Sequence, residues 1–457
     1  MFSTIGFETV FYFLLAISIL VSVHEFGHFI IAKLCGVKVL RFSLGFGKTL
    51  WQYQKNADCT EYRLSLLPLG GYVKMLDERE GNVSAEELPL TFNRQSLIKR
   101  AAILLGGPFF NLILAFLLFW CALVLGEQGW KPVLAQMSEQ TVAYKSGLNK
   151  GDTIVAVADV ITPTWTDALI QVYMRALSGE QDIELTLEQA DDKTTIVKTL
   201  SFPGYQVETP NELFEYLGLE PWVPDFPAVI GRVDKESAAF KAGLLVDDRI
   251  LTMNGEPVVD WISWSKDISE KAGEPVSLGI QRGEGLISIS VEVGSRINDK
   301  DEEVGVLGVA AKVPDAWNDL KVSYSLSINE AMVPAMDRVL FNATIITKVL
   351  GLLVIGEASI ENISGPVGIA QAAGETGRSG LVKFLKFLAL ISVSIGVVNL
   401  FPIPVFDGGQ LLLNIIESIK GSPFSDQAQM IFHRTGLVML ICLLSLTVIL
   451  DVSRMFD

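Results

Sequence analysis

Residues Ala101 to Gly126 run for 26 positions without one charged side chain. A backbone confined to hydrocarbon must satisfy its own amides, so a stretch of that length reads as a helix crossing a bilayer. Phe387 to Phe406 is a second uncharged run, 20 residues long. Thr9 to Ala32 is long enough for a third crossing although it contains His24, Glu25 and His28. The fourth, at about 431–450, has an apolar core of only 16 residues from Thr435 to Leu450 and needs Arg434 to snorkel. Val339 to Val354 is also apolar, but Lys348 and Asn342 interrupt it, so an amphipathic helix lying at the membrane surface is expected there.

Charge separates these spans from a water-soluble block. Residues 127–383 carry 21 basic and 38 acidic side chains out of a formal net charge of -16 for the chain. Such acidity argues against nucleic acid as a partner. The cysteines Cys35, Cys59, Cys121 and Cys442 form neither a disulfide framework nor a CxxC metal site. No basic residue precedes the first apolar stretch, which also holds the histidines, so it is expected to be retained rather than cleaved. All 11 Lys and Arg before residue 127 lie in the 33–100 loop and none in residues 1–8, which predicts a cytoplasmic loop. Four spans then place both termini and the acidic block outside.

His24-Glu25-Phe26-Gly27-His28 is an HExxH pattern. On a helix its imidazoles at i and i+4 face one way, about 6 Å apart along the axis, and two nitrogens there can grip one zinc. Glu25 stands next to the first ligand, where a carboxylate can take a proton from the attacking water. Two histidines satisfied by backbone carbonyls are the alternative, but ionisable groups are costly at membrane depth and mark function there. A catalytic zinc takes a third protein ligand. Asp407 is the candidate: it follows the third span in Asn399–Gly409 (NLFPIPVFDGG), where two prolines break the helix. Spans 1 and 3 both run inward, which puts His24, His28 and Asp407 at similar depth. A helix-stop residue before Gly408-Gly409 is the other reading of Asp407. Asn399 could donate to a substrate carbonyl or a developing oxyanion, or simply cap the broken helix.

HEFGH in the first span with a late N-x-x-P-x-P-x-x-D-G resembles the intramembrane site-2 protease family of zinc metalloproteases. FSLGFGK (Phe42–Lys48), PLGGYVKM (Pro68–Met75), FNRQSLIKRAAILLGGPFFN (Phe92–Asn111) and ISGPVGIA (Ile363–Ala370) resemble its bacterial sigma-E regulator members. The metal motif departs from the family's LDG, with Phe406 in place of leucine. The resemblance implies one zinc per chain held by His24, His28 and Asp407, with Glu25 as base, in a bacterial inner membrane. It implies substrates such as a cleaved anti-sigma factor or a signal-peptide remnant, cut within the bilayer.

A transmembrane helix resists hydrolysis until it is held extended, and a strand edge can do that. Residues 51–55 and 60–66 alternate around Asn56-Ala57-Asp58 and predict a hairpin in the cytoplasmic loop. Gly45 and Gly47 could let another backbone come close, and the resemblance makes their segment a re-entrant loop; a plain turn is the alternative. AYKSGLNKGDTIVAVADV from Ala143 and AFKAGLLVDDRILTMNGE from Ala239 align without gaps at an offset of 96 residues, an internal duplication. Each copy resembles a PDZ domain, Asp247 standing where the pattern expects glycine. In such proteases the pair is thought to filter substrates by size.

The expected fold is a polytopic α-helical membrane protein with four transmembrane helices, a cytoplasmic-side β-hairpin or re-entrant loop, and two tandem PDZ-like α/β domains in a large extracytoplasmic insertion. Its parts are a first membrane segment 1–126 (helices at about 9–32 and 101–126, loop 33–100), PDZ-like copies at 127–210 and 211–313, an amphipathic helical linker at 314–383, and a second membrane segment 384–457. The expected partners are the bilayer and transmembrane-helix substrates. A membrane-anchored PDZ adaptor with a structural zinc is the alternative, against which the Glu25 carboxylate argues.

Overall fold

The computed structural model describes residues 6–56, 58–79, 81, 83–205, 209–224, 226–297, 303–355, 365–422 and 424–456. The chain divides into two units: Met1–Glu127 with Tyr324–Asp451, and Gln128–Ser323 with Val452–Asp457.

In the first unit four helices are long and apolar enough to cross a membrane: Phe7–Leu34, Leu97–Leu125, Leu381–Leu400 and Gln427–Ile449. These are spans 1 to 4. Span 2 starts before its uncharged run because the Ser96 side chain accepts the Lys99 amide and caps the helix. Span 3 is Leu381–Leu400, not 387–406. Pro402 lacks an N–H and pushes Phe401 out of helical conformation, to ψ 145°, so the helix stops early. It also begins early, across Lys383 and Lys386. The Lys386 ammonium meets Glu127 Oε2 at 3.0 Å, so a charge-free count misses the first turns.

The 314–383 linker is helical over much of its length and also holds a strand. It contains the strand Lys321–Tyr324 and the helices Met332–Ile355 and Pro366–Arg378. The Met332–Ile355 helix does not stand apart: Ala335 and Val339 are buried among Ala115, Phe119 and Leu123 of span 2 and Ala389 and Val393 of span 3. Arg338 locks it there, donating to Glu127 Oε1 at 2.6 Å with both groups buried. Ile363 and Ser364 of the ISGPVGIA stretch lie outside the described residues. Beyond them Asp451, buried on the last helix, accepts the Gly365, Val367 and Gly368 amides that open Pro366–Arg378.

Between spans 1 and 2 the predicted hairpin is longer than its arms. Strands Val39–Tyr53 and Glu61–Met75 have 15 residues each. Both fold over: residues 39–44 pair with 71–75 on one side and 61–64 on the other, and 49–53 take the far side of 62–65. The first strand bends at Gly45 and Gly47, with φ +85° and +84°. A side chain on Gly45 would lie 2.8 Å from the Leu67 carbonyl, so the backbone that comes close to it is the chain's own second strand. Cys59 N–H closes the turn onto Asn56 O at 2.9 Å; Ala57 lies outside the described residues.

The second unit repeats one design. A sheet of Val160–Ile161, Thr153–Val157, Asp182–Glu188 and Thr195–Ser201, in that order, recurs as Glu256–Pro257, Arg249–Met253, Pro275–Arg282 and Gly285–Glu292. Each packs a helix, Trp165–Leu177 or Trp261–Ser269. Asp247 adopts φ +71° and its counterpart Gly151 +88°, so the aspartate takes up the left-handed turn that glycine makes in the other copy. The first copy reaches past 210: Glu220 and Trp222 bond to Ala135 and Val133 and complete its edge. Leu217-Gly218-Leu219 is the C-terminal cap of the Pro210–Leu217 helix, its amides turned back onto Phe214 and Glu215.

Asp248 is buried in the second copy, where it accepts Leu245 N–H and two bonds from Arg282, each at 2.7 Å. Burial pushes its carboxyl up, but the Arg282 bonds and the amide outweigh burial and hold it below the ordinary carboxylate value. The unfolded chain therefore binds this proton more tightly. The stabilisation is complete above about pH 4 and drains as pH falls through the unfolded and then the folded value. Asp248→Asn is expected to cost roughly 1.5–3 kcal/mol at pH 7 and to flatten the loss of stability on acidification. Thermal unfolding of the whole protein, followed by the fluorescence of buried Trp264, checks it; an unchanged acid slope in the variant rejects it.

Candidate metal centre

Span 1 carries His24 and His28 on one face, one turn apart. Asp407 comes from elsewhere. Once Pro402 and Pro404 have broken span 3, the chain re-enters a helix at Asp407–Lys420, and the carboxylate stands in its first turn. The three meet: His24 Nε2 lies 3.2 Å from His28 Nε2, Asp407 Oδ2 lies 3.2 Å from the first and 3.4 Å from the second. Among the described residues this is the one His, Cys, Asp or Glu group that converges tightly enough to hold a metal ion.

The triangle fits zinc. Ligands about 2.0–2.1 Å from a tetrahedral ion stand about 3.3–3.4 Å apart. The protonation pattern agrees. His28 Nδ1–H donates to the Ile103 carbonyl at 2.8 Å, leaving Nε2 as a lone pair aimed inward. Asn111 Nδ2 lies 3.2 Å from His24 Nδ1, while Asn111 Oδ1 is buried with no hydrogen bond among the described residues. A half-turn of the amide lets that oxygen accept His24 Nδ1–H, and His24 Nε2 then also points inward as a lone pair. Asp407 Oδ2 is likewise buried and has no hydrogen bond among the described residues. Three electron-rich atoms facing one another at this spacing repel unless a cation sits among them.

Span 2 makes the space. Gly106 and Gly27 pass so closely that a side chain on Gly106 would be 2.8 Å from the Gly27 carbonyl. On Gly107 it would enter the metal site, 2.8 Å from His24 Nε2 and closer still to His28 Nε2. Ser392 of span 3 donates to the Asn111 carbonyl at 2.7 Å and ties the third span to the second at this level.

Glu25 belongs to the same turn but stays outside the ligand triangle. A side chain on Gly71 of the folded sheet would lie 3.0 Å from the Glu25 Cγ. The 71–75 edge therefore runs beside Glu25. Gly45 and Gly47 sit at the bend of the neighbouring strand. The Asn399 amide donates to Ile395 O at 3.0 Å, one turn back in span 3.

Asn111, Gly107, Gly71 and the Ile103 carbonyl were not legible as site residues. One signal was present: Asn111 is the single Asn, Gln or charged side chain between Ala101 and Gly126, and a polar group at membrane depth needs a partner.

A family model described as peptidase family M50 matches residues 12–443. The chain is similar to the regulator of sigma-E protease RseP of Escherichia coli (strain K12), 35% identical over 445 residues, covering 97% of this chain and 98% of the relative. It is 35% identical over 449 residues to the protein of that name from Salmonella typhimurium, with the same coverage. A putative zinc metalloprotease of Vibrio cholerae is 33% identical over 445 residues, again covering 97% and 98%.

Proposed function

Because this chain belongs to peptidase family M50 and is a zinc metalloprotease of site-2 type, we propose that His24, His28 and Asp407 hold one zinc at membrane depth. Glu25 is the base in this reading. The observation that carries it is the triangle of two imidazole nitrogens and one carboxylate oxygen, 3.2–3.4 Å on a side, with no hydrogen bond to the Asp407 oxygen among the described residues. A structural zinc closes its tetrahedron with a fourth protein ligand, and among the described residues three converge.

When bound there, zinc supplies a Lewis acid that polarises the scissile carbonyl and acidifies water. Glu25 takes the proton of the attacking water on its carboxylate and passes it to the nitrogen of the departing amine. The 71–75 edge, beside Glu25, receives the unwound substrate as an added strand, and of the two bend glycines it is Gly47, with only Leu67 Cδ1 near it, that leaves room for another backbone. Asn399 donates its amide to the substrate carbonyl once it leaves Ile395.

The 33–100 segment faces the cytoplasm of a bacterial inner membrane, which leaves both termini and the soluble unit outside. The repeated sheets of that unit act as PDZ-like modules that admit proteins whose outer domain is already removed. The substrate class is the transmembrane helix of such a trimmed protein, an anti-sigma factor or a signal-peptide remnant; the names of the Salmonella and Escherichia relatives support the first.

Purified full-length protein is expected to contain one zinc and to cleave a trimmed model substrate in liposomes. A chelator should stop cleavage, zinc should restore it, and an untrimmed substrate should resist. Continued cleavage after the metal has been stripped rejects this function.

A further inference from the structure

Arg100, Ile103, Gly107 and Asn111 are spaced three, four and four residues apart, which lines them up along one face of span 2. Each of the last three touches the imidazoles: Asn111 faces His24, the Ile103 carbonyl orients His28, and Gly107 leaves room for both rings. Arg100 extends the stripe to the helix of the third ligand. Its Nη1 donates to Asn414 Oδ1 at 2.7 Å and lies 3.4 Å from Glu417 Oε2. Both residues belong to Asp407–Lys420, the helix that Asp407 opens.

This contact is buried and specific. The Arg100 and Glu417 side chains are 13% and 10% exposed, and Asn414 is buried. Arg100 Nε is buried without an acceptor among the described residues, so these two partners hold the guanidinium through Nη1. The other Glu417 oxygen accepts Phe424 N–H at 3.1 Å and Gln429 Nε2 at 3.3 Å, which steadies the carboxylate from its far side. Asn414 and Glu417 are three apart and share a face, so the guanidinium fork clamps one turn of their helix against span 2. A slip of that helix by one residue, about 1.5 Å, would carry Asp407 Oδ2 out of the ligand triangle.

We infer that Arg100 is a positioning residue for the zinc centre, acting through Asn414 and Glu417 to set where the Asp407 carboxylate stands. One face of span 2 is then the template for all three ligands. This rests on the three-ligand zinc reading above.

Full-length protein in detergent is compared as wild type, Arg100→Met/Glu417→Gln, Asn414→Ala, Arg100→Lys and Lys99→Met. The double variant removes both buried charges together, and Lys99, whose ammonium meets the Cys35 carbonyl, is the control. The double variant is expected to bind zinc about 10–100-fold more weakly and to lose the intense visible absorption of four-coordinate cobalt(II), with its helix content intact. Asn414→Ala should move the same way, Arg100→Lys should recover part of both signals, and Lys99→Met should match wild type. A double variant whose zinc affinity stays within about twofold and whose cobalt spectrum is unchanged overturns the positioning role and leaves the zinc reading standing. A wild type that binds no zinc overturns both.

Discussion

Glu25→Gln is expected to keep one zinc per chain and to lose proteolysis by about 10²–10⁴-fold, or roughly 3–5 kcal/mol of barrier. The substitution preserves size and shape. A glutamine keeps the methylene that packs beside Gly71, so the 71–75 strand stays where it is. Glu25 is outside the triangle of His24, His28 and Asp407, so metal retention should not depend on it. What the amide cannot do is accept a proton at neutral pH. Asp407→Ala should fail differently, losing zinc and cleavage together, because it removes one corner of the triangle. Zinc content and cleavage of a transmembrane substrate, measured on the same preparations, separate these cases. Glutamine enzyme that cuts at more than a tenth of the wild-type rate removes Glu25 from the role of base.

Gly107→Ala should empty the metal centre while leaving the helices folded. A methyl there lies 2.7 Å from His24 Cε1 and 2.8 Å from its Nε2, and closest to His28 Nε2. The rings cannot withdraw freely: Ile103 O holds His28 on its far side and Asn111 holds His24. Alanine in a helix interior is otherwise favoured over glycine by about 0.8–1 kcal/mol, so the apo protein should not be less helical. Zinc stoichiometry is expected to fall below about a tenth of wild type, and activity with it, by the loss of affinity that displaced ligands bring. The neighbouring Gly106→Ala gives the contrast. Its methyl meets the Gly27 carbonyl at 2.8 Å and Ile31 Cγ1 at 3.1 Å, so it should force spans 1 and 2 apart and lower the unfolding temperature. Full zinc occupancy in Gly107→Ala would mean that the imidazoles are not where the lone-pair argument puts them.

The sequence carried the spans, the duplication and the three candidate ligands. Uncharged runs report what hydrocarbon tolerates, residue by residue, and HExxH reports a local spacing on one helix. Asp407 was legible for a similar reason, as a lone charge behind two prolines. The errors are equally physical. A charge-free run starts span 3 late because Lys383 and Lys386 break it, yet Lys386 is neutralised by Glu127, 259 residues away. Lys348 and Asn342 interrupt the Val339–Val354 run and argue for an amphipathic surface helix over a further crossing; the Met332–Ile355 helix packs its Ala335 and Val339 face between spans 2 and 3.

Periodicity and composition were enough to mark which segments of this protein are helices long and apolar enough to cross a membrane, where the chain repeats itself, and which side chains are candidates for a metal, because those properties follow from each residue and its near neighbours. Only the tertiary structure decided what surrounds the ligands. His28 depends on a carbonyl 75 residues away, His24 on an amide 87 away, and the helix of Asp407 on a guanidinium 314 away. Such contacts have no period along the chain; they exist because helices packed on glycine bring distant polar groups within bonding distance, where leaving them unpaired would cost more than ordering them.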